Sequence, residues 1–364
     1  MAMNKPFFDI DRPGLQAEVN TYKPGNGLNW STLFPLKYTP KFDITGIEGN
    51  EGIPVSADQV AFNSRAPKKT RKTIGSWSGK LGKIAISRDK DELEINEYND
   101  LKTLAAASPE DTATKQYLVD MVYDDPKFVT EGLDYRVEID ALRIGSSGVG
   151  TKDVRTDGDM VTEDVINFNV PKDNFRGVAV AWSDAEHADG LADLATAQAF
   201  IARKGLKKPM FAVIEKSKYE ELCAQKATAR RLYPRLDQTL ITADMVDLET
   251  LNKYLDGKGY PHLLVIDSYA TVEHKDGSQE TIKPWDEKVV TLAPTAQLGW
   301  TYYKPVPNVE NTEALQVQGA YYKMTRYSDV NPMVEVTMGE AYVQPGLINR
   351  QSLVFINTTD TKWK

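Results

Sequence analysis

The residues best able to do chemistry in this chain are few and scattered. Gly145-Ser146-Ser147-Gly148-Val149-Gly150-Thr151-Lys152 is the nearest approach to a phosphate-binding loop. Such a loop needs its lysine before the hydroxyl residue and must lead from a strand into a helix. Here the order is Thr-Lys and the segment follows a helical pattern, so a flexible helix-to-strand loop is expected. His187, His262 and His274 show no ligand spacing. His187, among Asp184, Glu186 and Asp189, reads as part of a solvated acidic turn in preference to a cation site. Asp157-Gly158-Asp159 lacks the rest of a calcium loop and reads as a hairpin turn. No Gly-x-Ser-x-Gly elbow is present. Asp124-Asp125 is the kind of carboxylate pair that 52 acidic residues produce by chance. The single cysteine, Cys223, excludes an internal disulfide framework and reads as a small apolar residue on a helix. Catalytic residues, metal and cofactor are all expected to be none, and the chain is not expected to be an enzyme.

Charge carries more information than reactivity. The chain has 44 Lys/Arg and 52 Asp/Glu, a net charge of −8. Against that balance, Pro54 to Lys90 holds nine cations (Arg65, Lys68, Lys69, Arg71, Lys72, Lys80, Lys83, Arg88, Lys90) and only Asp58 and Asp89 as anions. The apolar residues of this arm, Trp77 among them, are scattered between glycines without helical spacing, so it needs a surface supplied from elsewhere. An acidic strip follows at once: Asp91, Glu92, Glu94, Glu97, Asp100, Glu110, Asp111, Asp120, Asp124 and Asp125, opposed only by Lys102 and Lys115. Three uses of the basic arm fit: docking between copies of the chain, a solvated loop, or contact with nucleic acid. The acidic strip favours the first and the net charge opposes the last. The expected intersubunit contacts are Arg65, Lys68, Lys69, Arg71, Lys72, Trp77, Lys80 and Lys83 with Glu92, Glu94 and Glu97.

These residues must be positioned by a mixed α+β body. Five prolines in the first 45 residues predict an extended arm without helix. Gly75 to Gly82 is expected to be the turn of a long hairpin. Helical spacing begins at Asp91 (Ile95, Tyr98, Leu101, Leu104), and Ser108-Pro109-Glu110-Asp111 is expected to cap a second helix through Ser108. That helix should run toward Gly145, interrupted or kinked at Pro126. Strands are expected over 153–170, then a helix Leu191 to Ile201 closed by Gly205 and a strand Met210 to Ile214. A helix capped by Ser217 and another ending at Gly257 follow, and then a strand His262 to Ile266. Asp276-Gly277 marks a hairpin tip, and the last third is strand-rich. No apolar run is long enough to span a bilayer and no secretion signal opens the chain, so a cytoplasmic place of synthesis is expected.

The order of arm, basic loop, long helix, α/β unit and strand-rich return resembles that of tailed-phage major capsid proteins. Specific segments resemble the lambda-type major capsid protein E family: Lys288-Val289-Val290-Thr291-Leu292-Ala293-Pro294, Leu298-Gly299-Trp300-Thr301-Tyr302-Tyr303, Asn331-Pro332 and Ala341-Tyr342-Val343-Gln344-Pro345-Gly346, with Leu191 to Ala224 as a second region. The sequence departs from the pattern at Pro126 and at Pro305 to Glu313, which reads as an inserted loop. The resemblance implies a Hong Kong 97-like fold: an N-terminal arm (1–45), an extended β-hairpin loop (46–90) and a peripheral domain with a spine helix (91–175). An α/β axial domain (176–320) and C-terminal strands returning to the peripheral domain (321–364) complete it. It also implies a virion shell of homo-hexamers and pentamers that encloses double-stranded DNA without sequence-specific binding. Portal, scaffolding and decoration proteins would be partners, with no membrane contact and assembly in the host cytoplasm. No residue matches the lysine-to-asparagine cross-link of some such shells. An encapsulin-like compartment around an enzyme cargo is the alternative that shares this composition.

Overall fold

The computed structural model describes residues 3–46, 58–59, 77–108, 110–156, 159–235, 245–274 and 276–363. Its first segment corrects the expectation of an extended, helix-free arm. Helix α1 (Arg12–Thr21) begins at Asp11, whose side chain accepts from Gly14 N, and Pro13 falls within the first turn. A proline there loses nothing, because the first amides of a helix have no intrahelical acceptor. A short helix α2 (Trp30–Leu33) and strands β1 (Leu36–Tyr38) and β2 (Asp43–Gly46) follow. Phe8, Leu15, Val19, Trp30, Leu33 and Phe34 are all buried in the main core.

Strand β3 (Trp77–Lys80) pairs antiparallel with β2, from Asp43↔Lys80 to Gly46↔Trp77, and β4 (Gly82–Lys90) follows directly. Trp77–Lys80 and Gly82 are therefore in strands and not in a turn, while Gly75 and Ser76 lie outside the described residues. Helix α3 (Glu92–Ala107) starts in a reciprocal capping box between Asp91 and Glu94. Helix α4 (Thr112–Ser147) is a continuous spine of 36 residues. Asp111, not Ser108, caps it through bonds from Ala113 N and Thr114 N, and it ends beyond Gly145 at Gly148, whose positive φ of 70° suits glycine.

Pro126 does not break this spine, for an identifiable reason. A proline at position i leaves the carbonyl at i−4 without its donor. That carbonyl, Val122 O, accepts from Arg326 Nη1 at 2.6 Å. Arg326 is itself held by Glu335, and both side chains are buried (0% and 1% exposed). The second oxygen of Glu335 accepts from Phe7 N (2.7 Å) and Phe8 N (2.9 Å). One buried ion pair thus joins the spine, the sheet beneath it and the N-terminal segment.

The remaining chain completes two large sheets and adds two separate hairpins. A hairpin of β5 (Val149–Thr156) and β6 (Asp159–Asn167) leads to β7 (Phe175–Gly177), α5 (Gly190–Arg203), β8 (Phe211–Glu215) and α6 (Lys216–Ala224). Helices α7 (Lys226–Leu232) and α8 (Leu248–Lys258), strand β9 (His262–Ile266) and the hairpin β10 (Ala270–Glu273) and β11 (Gln279–Ile282) come next. The chain finishes with β12 (Val289–Ala293), β13 (Gly299–Lys304), β14 (Leu315–Gln318), β15 (Tyr322–Val330), β16 (Met333–Leu347) and β17 (Val354–Asn357). Two expected caps move: Glu215, not Ser217, caps α6 by accepting from Ser217 N, and Gly259, not Gly257, closes α8.

The first sheet has the order β1-β13-β16-β15-β14, with β4 on the other edge of β16. The spine lies on one face of it. Gly339 on β16 and Gly132 on α4 permit this approach, since a Cβ on Gly339 would meet Val129 at 2.4 Å and one on Gly132 would meet Ile86 at 2.5 Å. The second sheet runs β7-β17-β12-β8-β9. Its strands alternate between two cores: Val213, Val289, Ala293 and Phe355 enter the spine-side core, while Ala212, Ile214, Val290, Leu292, Val354 and Ile356 enter the core of α5, α6 and α8. Sheet membership crosses the boundaries expected at 176 and 320, because β13 and β14 join the first sheet and β17 the second.

Side-chain amides occupy two outer strands. Gln16 donates to Gln318 O (2.9 Å) and accepts from Gln318 N (3.4 Å) on β14; Asn252 donates to Leu263 O (3.1 Å) and accepts from Leu263 N (2.7 Å) on β9. The 305–313 loop lies over the first sheet in the same manner, with Gln316 bonded to both N and O of Val309.

Arg326→Met should destabilise the chain by about 3–5 kcal/mol in denaturant unfolding, because Glu335 is left buried and unpaired. In a Pro126→Ala background the helix regains its own donor to Val122 O, and the loss on Arg326→Met should shrink by about 1 kcal/mol. Equal losses in both backgrounds would show that the guanidinium does not replace the missing donor.

Candidate functional site

The groups singled out for reactivity are committed to the fold. Gly145 to Lys152 is the end of α4 and the start of β5, so it presents helix carbonyls and not the amides that a phosphate needs. Each histidine faces one carboxylate: His187 Nδ1 lies 2.9 Å from Asp184, His262 Nδ1 3.2 Å from Asp256, and His274 Nε2 3.1 Å from Glu280. Among the described residues no group of three or more metal-ligating side chains assembles, and no helix is long and apolar enough to cross a membrane. Cys223 is buried on α6, and burial pushes its thiol above the ordinary range, which keeps it protonated.

What the buried acids do instead is hold backbone. The 20–30 segment bends through Gly25 and Gly27, both at positive φ, and leaves amides without helical or strand partners. Asp134 on the spine accepts from Gly25 N (2.8 Å) and Tyr321 Oη (2.6 Å). One turn on, Glu138 accepts from Asn29 N, Asn29 Nδ2, Trp30 N and Ser268 Oγ at 2.7–3.2 Å. Burial pushes the Asp134 carboxyl upward against these two donors. Sequence reasoning missed Asp134, Glu138, Arg326 and Glu335. A signal was present on the spine: Asp134 and Glu138 stand in phase with Val137, Ala141 and Leu142, on the stripe that must face inward.

The expected contact residues divide into three groups. Arg65, Lys68, Lys69, Arg71 and Lys72 lie outside the described residues. Trp77 is 2% exposed and packs edge-on to Phe168 and Tyr302, so its ring is engaged within its own chain. Lys80 is exposed on β3, and Lys83 on β4 pairs with Glu340. Glu92, Glu94 and Glu97 are all exposed on α3, with Glu94 closing the capping box and Glu97 accepting from Tyr117 Oη at 3.4 Å. Much of the acidic strip is engaged within the chain. Asp91 and Asp111 are caps, Asp124 pairs with Arg88 at 2.9 Å, and buried Asp125 pairs with Lys90 at 2.9 Å.

No protein-family model matches this sequence, and no curated protein matches it. Solved structures do. A protein from a prophage of E. coli, assigned as its capsid protein, aligns with 14% identity over 98% of this chain and 99% of its own, at a TM-score of 0.56. A phage-related protein from Bordetella bronchiseptica aligns with 12% identity over 100% of both chains, at a TM-score of 0.53. At these identities the likeness is one of fold, and it extends from end to end: the mixed α+β architecture described above is shared with both.

On β16, Glu340 lies between Lys83 and Lys323, the latter at 3.2 Å. Burial pushes its carboxyl up, but the bonds from the two lysines outweigh burial and hold it below the usual carboxylate range. A depressed acid stabilises the fold above its unfolded pKa and loses that effect as pH falls. The unfolding free-energy difference between the wild type and Glu340→Gln should therefore be largest near neutrality and shrink below about pH 4. A constant difference from pH 7 to pH 3 would rule out the lysine clamp.

Proposed function

We propose that this chain is the major capsid protein of a tailed double-stranded DNA bacteriophage, with a Hong Kong 97-like fold. It assembles as hexamers and pentamers into an icosahedral shell around the genome. The observation that carries this reading is the end-to-end likeness of fold to the assigned prophage capsid protein. Three further features support it. Strands β2 and β3 pair antiparallel, and the sequence between them carries the cluster Arg65 to Lys72. A net charge of −8 disfavours adhesion to packaged DNA, which suits enclosure without sequence-specific binding. And the ionisable groups named above serve as ties within the fold, which suits a structural protein without enzymatic activity.

In this reading the extended loop runs from β2 to β4, and the spine, the first sheet and the N-terminal segment form the peripheral domain. The second sheet with α5 to α8 forms the axial domain around the capsomer centre. The basic cluster docks on an acidic surface of a neighbouring copy. Portal, scaffolding and decoration proteins are further partners, and the shell is built in the host cytoplasm before it becomes the virion head.

Negative-stain microscopy of the purified protein, alone and with co-expressed head proteins, should show closed shells of uniform size. Monomers under every such condition would overturn the proposal, and shells filled with protein cargo would point to an encapsulin-like compartment. Reversal of Lys68, Lys69, Arg71 and Lys72 to glutamate should abolish shells while the thermal midpoint of the monomer stays unchanged. Normal shells from that variant would sink the docking role of the cluster.

A further inference from the structure

Helix α3 turns toward solvent a stripe that its own protomer leaves unused. Ile95 and Tyr98 bury one side of the helix. Leu93, Glu97, Asp100 and Leu104 recur at intervals of four, three and four, which gathers them within about 60° on the opposite side. Leu93 is 77% exposed and Leu104 51% exposed. Two leucines therefore bracket two carboxylates along about 16 Å of helix. Among the described residues neither Glu97 nor Asp100 forms an ion pair.

The first sheet presents the opposite combination on the face turned away from the spine. Gly339 faces the spine, so Tyr342 and its cross-strand partner Lys304 point the other way, as do Tyr302 and Trp300 along β13. Lys37 pairs in register with Tyr302 and sets its ammonium 5.3 Å from the Trp300 ring and 5.6 Å from the Tyr302 ring. Lys304 lies 4.3 Å from the ring of Phe42, which is 45% exposed and packs edge-on to Tyr342. Lys41 is exposed beside it, and no carboxylate among the described residues pairs with Lys37, Lys41 or Lys304.

We propose that the α3 stripe of one copy docks on the lysine and aromatic face of the next. The proposal rests on the self-association reading above and names a second contact, separate from the basic cluster. The stripe exposes two leucines, the other face exposes Phe42 beside the half-buried Trp300, Tyr302 and Tyr342, and the unpaired charges on the two are opposite. Nucleic acid would satisfy the lysines but offers nothing to Leu93 and Leu104, so a second copy is the better fit. Because the two surfaces differ, the contact is head-to-tail, and repetition closes a ring when the rotation permits.

Sedimentation velocity and negative-stain microscopy of the full chain test this with surface variants. Lys37→Glu with Lys304→Glu, and separately Glu97→Lys with Asp100→Lys, should each raise the protein concentration needed for assembly at least tenfold at unchanged thermal midpoint. All four changes in one chain should restore assembly toward the wild-type concentration. Normal assembly of either double variant would overturn the contact and leave the capsid reading intact, as would failure of the fourfold variant to recover. Loss of binding to a fluorescent DNA duplex by Lys37→Glu with Lys304→Glu, with assembly unaffected, would assign the lysine face to nucleic acid instead. A wild-type chain that never associates would fail the underlying reading itself.

Discussion

A proline in the middle of a long helix deletes one hydrogen bond, and the fold is arranged around the replacement of that bond. Pro126 leaves the Val122 carbonyl open, and Arg326 reaches it from the sheet. A guanidinium buried this deeply needs a counter-charge, which Glu335 supplies from the adjacent strand. Glu335 then has acceptor capacity to spare, and the amides of Phe7 and Phe8 take it. Spine, sheet and N-terminal segment are thus joined through five groups whose hydrogen-bond requirements interlock. Shifting any one element leaves a buried charge or amide without its partner.

The same principle appears twice more along the spine, where Asp134 and Glu138 hold backbone amides of the 25–30 segment. Carboxylates suit this role because one group accepts from several donors. The second sheet adds a different kind of coupling. With apolar residues on both faces of β8, β12 and β17, it is the common wall of two cores. Neither core is complete without it, so loosening on one side removes packing from the other.

Local signals in the sequence carried much of this arrangement. Helical spacing marked α3 from Asp91, apolar runs marked β8, β9 and β12, and Asp276-Gly277 marked the tip between β10 and β11. The errors came where a local rule has two outcomes. Pro13 belongs to a proline-rich stretch that predicts an extended arm, although proline is favoured in a first turn. Pro126 signals an interruption in the sequence, because its compensating donor lies 200 residues away. Gly82 has the composition of a turn, although it opens a strand that pairs with β16. Of the candidate contact residues, exposure of Glu92, Glu94 and Glu97 followed from helical phase; the inward ring of Trp77 did not, since only the tertiary fold brings Phe168 and Tyr302 to it.

The side-chain amides on β14 and β9 bear on a problem that any sheet with outer strands faces. An outer strand with free N–H and C=O groups is a template for another strand of almost any sequence. Gln16 and Asn252 each answer one such residue with a donor and an acceptor of their own. An incoming strand must first displace an amide that already satisfies both groups. Wherever strands of other chains come near, this disfavours indiscriminate backbone pairing relative to recognition through side chains.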